Sequence, residues 1–188
     1  MALLILLRHG RSAWNDENRF TGSVNVNLSN IGIQEAEMVG EQLQSYCISH
    51  VFCSTLNRSM CTAEIVLKHA KQNNFLLHSN TALNERNYGI LQGLNKRYAI
   101  QHYGAEQIQL WRRGYDEHIP YGETLKETSK RVMCYYNQII KPLIKFKNII
   151  LIVAHSNSLR VLIRELEKKD DLNTEIPNCV PICYEFPE

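Results

Sequence analysis

Leu3-Leu4-Ile5-Leu6-Leu7-Arg8-His9-Gly10, near the start of the chain, reads like Ile149-Ile150-Leu151-Ile152-Val153-Ala154-His155-Ser156-Asn157 near its other end. Each is a short run of Leu, Ile or Val that stops at a histidine. Runs of this kind, without polar alternation, form strands buried on both faces of a parallel sheet. A polar turn and a helical pattern follow each one. If both are parallel strands of one sheet, both histidines stand at its carboxyl edge, where open α/β sheets bind ligands. Two imidazoles brought to one rim from opposite ends of the chain point to a catalytic pair.

Outward from these runs, Leu28-Ser29-Asn30 supplies capping residues for a helix over 31–46, with Ile33, Ala36, Glu37 and Gly40 on one face and Val39 and Leu43 on another. A strand is expected over 51–54, a helix over 58–72 and a strand over 75–78. Residues 85–95 read as a loop broken by Gly89 and Gly93. Helical segments over 96–103 and 106–114 lead to a polar loop with Pro120 and Gly122. A long helix over 123–145 follows, which Pro142 kinks or closes. The strand 149–154, a helix over 158–169 and a last strand over 181–186 complete the chain. This alternation predicts an α/β fold, a three-layer αβα sandwich around a mostly parallel central sheet. With no repeat, low-complexity segment or linker, residues 1–188 read as a single domain.

Composition narrows the function. With 44% hydrophobic and 21% charged residues over 188 positions, the chain has the balance of a soluble globular protein. A net charge of +2 argues against nucleic acid and membrane surfaces as partners, so any strong positive field must be local. Ala2 to Leu7 is too short for a secretory signal, and no apolar stretch spans a bilayer, so the cytoplasm is the expected compartment. The cysteines, Cys47, Cys53, Cys61, Cys134, Cys179 and Cys183, show no C-x-x-C spacing and read as reduced thiols. No cluster of metal-ligand type stands out, and a metal-free site is expected.

A guanidinium beside an imidazole at a strand end suits a phosphate. Arg8 can bind the non-bridging oxygens with its fork of donors while neutral His9 offers a nucleophilic nitrogen. Gly10 lets the backbone approach a ligand, and Ser12 and Asn15 add neutral donors. His155 precedes Asn157 and Ser158 at a helix start, again a place for an anion. Arg58 follows a short strand at a helix start and becomes a second phosphate clamp if that strand shares the rim.

Arg8-His9-Gly10 with Ser12 and Trp14-Asn15 resembles the signature of the histidine phosphatase superfamily. More narrowly, the chain is similar to the cofactor-dependent phosphoglycerate mutases in their short bacterial form. The segments that carry this likeness are Phe20-Thr21-Gly22, Leu83 to Gly89, Leu91 to Lys96, Trp111 to Asp116, Gly122 to Leu125 and Ala154 to Arg160, with Ile176-Pro177 and Pro181 to Phe186 echoing the last strand. They follow one another in family order over nearly the whole chain. The resemblance implies a phosphoglycerate mutase-like fold and makes His9 the residue that becomes phosphohistidine. Arg8, Arg58 and His155 would stabilise the transferring phosphoryl group, and Glu85 would be the general acid and base. Arg11, Ser12, Asn15, Thr21, Gly22, Arg86, Asn87, Tyr88, Lys96, Arg112, Arg113, Ser156 and Asn157 would complete the substrate pocket with Gly10. Arg8, Arg58, Lys96, Arg112 and Arg113 then give five cations to a small polyanion.

The implied reaction interconverts 3-phosphoglycerate and 2-phosphoglycerate by ping-pong transfer, with 2,3-bisphosphoglycerate priming His9. The substrate would be a small phosphorylated three-carbon acid, and the chain is compatible with a homodimer. Four features depart from the family. Ser156 stands for the usual Gly, Arg11 for an acidic or amide residue, and Ser23 for Trp, while the loop 116–122 is short as in the short forms. The sequence given also stops at Glu188, without the mobile tail of the longer mutases, which predicts a site that leaks phosphate to water. Two other readings compete: a phosphatase of the same superfamily acting on small phosphate esters, and a non-catalytic phosphate-binding module. The segments 83–96 and 111–113 favour the mutase, and the presence of His9, Glu85 and His155 opposes the module.

Overall fold

The computed structural model describes residues 1–169 and 174–187. The two quoted runs are the strands β1 (Ala2–Arg8) and β4 (Ile149–Ala154). They lie side by side and parallel, Leu3 opposite Ile149 and Arg8 opposite Ala154. With β2 (His50–Cys53), β3 (Leu76–Ser79) and β5 (Ile182–Phe186) they form a sheet of order β3-β2-β4-β1-β5. β5 runs antiparallel to β1, and the remaining neighbours are parallel.

The apolar runs are explained by burial on both sides. On one face, Leu4, Leu6, Phe52, Ile150 and Ile152 pack with Val132 of α6 (Leu125–Tyr135) and with Leu159 and Leu162 of α7 (Ser156–Glu167). On the other, Ile5, Leu7, Val51, Leu151 and Val153 pack with Ala36 and Val39 of α2 (Asn30–Gln42) and with Ala63 and Val66 of α3 (Asn57–His69). All ten strand side chains are fully buried, each stabilising the fold by roughly 1.5–3 kcal/mol relative to exposure. A third, smaller core joins Phe20 and Leu91 to Ala99 of α4 (Lys96–Tyr103) and Ile108 of α5 (Ala105–Arg113). A short α1 (Ala13–Asp16), closed by a capping box between Ser12 and Asn15, was not foreseen from the sequence.

Several element boundaries differ from the expectations. α2 stops at Gln42 and α3 at His69, because the Gln72 side chain takes the segment between α2 and β2. Its amide donates to the Tyr46 carbonyl at 2.8 Å and its oxygen accepts from the Ile48 N–H at 3.0 Å. The helix expected over 123–145 begins with a Thr124–Glu127 capping box, then widens to a π turn over Tyr136–Ile140 and tightens to a 3₁₀ stretch over Lys141–Phe146. Pro142, which has no N–H, sits where the regular ladder would otherwise need a donor. Finally, α7 starts at Ser156 rather than at Ser158, so His155 is at once the residue after β4 and the N-cap of α7. Part of the helix expected over 158–169 reaches only Glu167, and the stretch 170–173 lies outside the described residues. Among the described residues no helix is long and apolar enough to cross a membrane.

Candidate active site

His9 follows β1 and His155 follows β4, so the parallel register sets them side by side. The His9 N–H donates to the Ala154 carbonyl at 3.0 Å, extending the ladder one residue beyond the strands. The two imidazoles come to rest with ring centroids 4.9 Å apart.

Their surroundings differ. His9 Nδ1 lies 2.6 Å from the carbonyl oxygen of Gly10, an acceptor only, so Nδ1 carries the proton. His9 Nε2 accepts from Arg58 Nε at 3.3 Å, which requires an unprotonated nitrogen there. Burial first, then Arg58 and Arg8, hold the His9 pKa well below the ordinary imidazole value. His9 is therefore a neutral base with its lone pair at Nε2. Asn178 Nδ2 donates to the His9 carbonyl at 2.6 Å and anchors its backbone to the C-terminal segment.

Arg58 is almost fully buried, and its other nitrogens donate to the carbonyls of Val24 and Gly22 at 2.7 Å each. Gly22 sits at φ +58, and a side chain there would run into Gln92. Burial pushes the Arg58 pKa down to about 10, which leaves it charged at neutral pH. Arg8 donates from Nη1 to the Ile176 carbonyl at 2.7 Å.

A cavity of about 300 Å³ opens over His9, Arg8 and Arg58. Its walls hold Arg8, Arg58, Lys96, Arg112 and Arg113, the five cations the sequence brought forward. Asn15, Thr21, Gly22, Glu85, Tyr88 and Ser156 line it as well, together with His9. Burial, then Arg112 and Arg8, lower the Lys96 pKa, as expected for cations gathered around a space that calls for an anion. Three polar atoms in this region, His155 Nδ1, Arg8 Nε and Thr21 Oγ1, are buried with no hydrogen-bond partner. Buried groups of this kind cost free energy unless something satisfies them.

Glu85 is held from behind. One carboxylate oxygen, Oε1, accepts from the Arg86 N–H at 2.9 Å and from the Asn157 N–H in the first turn of α7 at 3.2 Å. Arg131 supports the same loop by donating to the carbonyls of Ala82 and Asn84 at 2.8 Å each. Glu85 thus presents its second oxygen from a rigid mount.

Seven sequence-derived candidates are not among the residues that line the cavity. His155 is one of them: fully buried, it packs its ring against that of His9. Arg11 turns away, with its Nε paired to Asp16 at 2.8 Å. Ser12 caps α1. Gly10 owes its lack of a side chain to α2 rather than to a ligand, since a Cβ would come within 2.3 Å of the Gly32 carbonyl oxygen. Asn87 accepts from the Gly89 N–H and takes a bond from its own N–H to Glu123. Asn157 donates to the Tyr88 hydroxyl at 3.1 Å and accepts from Arg160 at 3.0 Å, so it arranges wall residues. Arg86 is fully buried behind the wall, with its guanidinium donating to the carbonyls of Glu123, Trp111 and Glu117. Replacing it by Met strands three carbonyls, and a loss of about 3–5 kcal/mol is expected in urea titration.

Arg19, Phe20, Arg160, Glu175, Ile176 and Pro177 line the cavity without having been singled out as site residues. Arg160 donates from Nε to the Thr174 carbonyl at 2.7 Å, and its pKa falls to about 10, chiefly through burial. A signal was present: Arg160 and Ile176-Pro177 lie inside segments that carry the family likeness.

Both buried histidines link stability to pH. The pKa of His155 also lies well below the ordinary value, through burial first and then Arg58 and His9. In the unfolded chain each imidazole takes a proton near about pH 6.5. Below that pH the unfolded state binds more protons than the native one, so stability falls as pH drops from about 6.5 towards the depressed native values. Each histidine adds up to about 1.4 kcal/mol per pH unit within that window. Urea midpoints measured from pH 7.5 to 5 should fall below about 6.5, and His9→Asn should remove part of the slope.

The comparisons with known proteins agree with this geometry. The chain belongs to the histidine phosphatase superfamily: the model of its branch 1 matches residues 4–183. Within it, the chain falls in the phosphoglycerate mutase family. It is 41% identical to the 2,3-bisphosphoglycerate-dependent phosphoglycerate mutase of Chlamydia muridarum, covering 100% of this chain and 95% of that one. Identity to the phosphoglycerate mutase of Schizosaccharomyces pombe is 46%, over 97% and 89% of the two chains. Among solved structures, phosphoglycerate mutase from Bacillus anthracis superposes with a TM-score of 0.82 at 22% identity, over 98% of this chain and 88% of that one, a likeness of fold. A putative alpha-ribazole-5'-P phosphatase from Escherichia coli gives 0.73 at 28% identity, over 88% and 79%.

Proposed function

We propose that the chain is a 2,3-bisphosphoglycerate-dependent phosphoglycerate mutase, interconverting 3-phosphoglycerate and 2-phosphoglycerate through a phosphohistidine at His9, with one domain carrying the whole site. The observation that carries this reading is a neutral His9 with its lone pair at Nε2, set against Arg58 in a cavity lined by seven basic side chains together with Glu85 and Glu175. The relatives at 41–46% identity support the substrate and the cofactor. The cavity suits a small bisphosphate, because Arg8 Nε and Thr21 Oγ1, buried donors of lining residues with no partner, lack the acceptors that phosphate oxygens supply. Arg8, Arg58 and His155 would hold the transferring group, and Lys96, Arg112 and Arg113 the rest of the molecule. When bound, 2,3-bisphosphoglycerate supplies the phosphoryl group that primes His9.

His9 Nε2 attacks phosphorus, and the bond from phosphorus to the substrate oxygen breaks. The Gly10 carbonyl stabilises the charge that develops on the ring through the Nδ1 proton. Arg8 and Arg58 offset the charge on the equatorial oxygens without reorganising. Glu85 gives a proton to the leaving substrate oxygen and, in the reverse half, takes the proton from the attacking hydroxyl as phosphorus leaves Nε2. Placement and charge account for the catalysis. The six thiols are unpaired, which supports work in the cytoplasm.

Conversion of 3-phosphoglycerate, followed with and without added 2,3-bisphosphoglycerate, tests the proposal. Isomerisation stimulated by the bisphosphate is expected. Release of free phosphate without isomerisation would instead establish the phosphatase reading.

A further inference from the structure

His155 Nε2 lies 2.7 Å from Ser54 Oγ, and neither residue is exposed to solvent. β2 ends at Cys53 opposite Val153, so Ser54 and His155 leave neighbouring strands on the same rim. Ser54 Oγ also accepts from the Leu56 N–H at 3.2 Å. The hydroxyl proton then has one acceptor in reach, His155 Nε2. A proton on Nε2 instead would give Oγ a second incoming donor and leave its own hydrogen without an acceptor, a costly arrangement in a dry site.

We propose that Ser54 is a positioning residue that donates to His155 Nε2 and so fixes the proton of the neutral ring on Nδ1. This rests on the phosphoryl-transfer reading above and deepens it. His155 Nδ1 is buried without a partner, so the ring keeps one donor in reserve beside His9. The opposite tautomer would leave a lone pair, not a donor, at this buried unpartnered position. The two imidazoles thus carry their protons on the same atom, Nδ1, and use opposite ends. His9 spends its Nδ1 proton on Gly10 and offers a lone pair, whereas His155 spends its lone pair on Ser54 and offers a proton. A nucleophile and an electrophilic donor arise from one side-chain type through their partners alone.

Ring ¹⁵N–¹H correlation spectra of the ¹⁵N-histidine-labelled, substrate-free protein at neutral pH read the tautomer directly. His155 should show a protonated Nδ1 and a bare Nε2 accepting a hydrogen bond. Ser54→Ala should convert it to a mixture of tautomers and lower kcat by about ten- to a hundredfold with KM changed less than about twofold. Ser54→Thr should restore both. A wild-type His155 protonated on Nε2 would overturn the proposal, as would Ser54→Ala with an unchanged tautomer and kcat. Should Ser54→Ala fail to fold, the wild-type spectrum still decides. That spectrum needs no substrate, so it stands apart from the isomerisation assay and from any failure of the mutase reading.

Discussion

His9→Asn should abolish phosphoryl transfer, lowering kcat for 3-phosphoglycerate isomerisation by more than about 10⁴-fold. Asn can imitate the Nδ1–H with its amide and keep the bond to the Gly10 carbonyl, but it has no nucleophilic ring nitrogen. The folded state should survive, since the Asn178 bond to residue 9 and the ladder bond to Ala154 use backbone atoms. The variant should also take up no phosphoryl group from 2,3-bisphosphoglycerate. Retention of even about 1% of kcat would mean direct transfer between bound molecules, without a covalent step.

Glu85→Gln should lower kcat by about 10²–10⁴-fold while KM moves less than about twofold. Gln keeps an acceptor for the Arg86 and Asn157 N–H groups, so the mount stays intact. What it loses is the ability to hold a proton for the substrate oxygen. The loss should therefore fall on the transfer step, visible in single-turnover mixing as slow phosphorylation and dephosphorylation of His9. A variant with normal kcat and raised KM would make Glu85 a binding residue only.

The fold was legible where the sequence pattern is set by one strong force. The runs 3–7 and 149–154 had to be strands buried twice over, because nothing polar alternates within them, and the sheet places them side by side. Arg8, His9 and Arg58 were legible as well, since a phosphate site needs clustered charge and these residues follow or close strands. Glu85 and the cations at 96, 112 and 113 came forward through the family resemblance instead; all seven line the cavity. Other features depend on contacts between distant segments. Ser54 meets His155 across 101 residues of chain, and Asn178 reaches the His9 carbonyl across 169. Neither pairing leaves a local pattern. Arg86 and Asn157 look like ligands in the motif yet serve as buried supports, because carbonyls and side chains from three other segments converge on them. Ser156, the departure from the family glycine, takes the first position of α7 and forms part of the cavity wall.

The central claim is that His9 Nε2 accepts a phosphoryl group. Mass spectrometry of the intact protein after incubation with 2,3-bisphosphoglycerate, followed by peptide mapping under alkaline conditions, tests it most directly. One acid-labile phosphoryl group on His9, absent from His9→Asn, is the predicted result. No adduct, or an adduct on another residue that persists in His9→Asn, would contradict it.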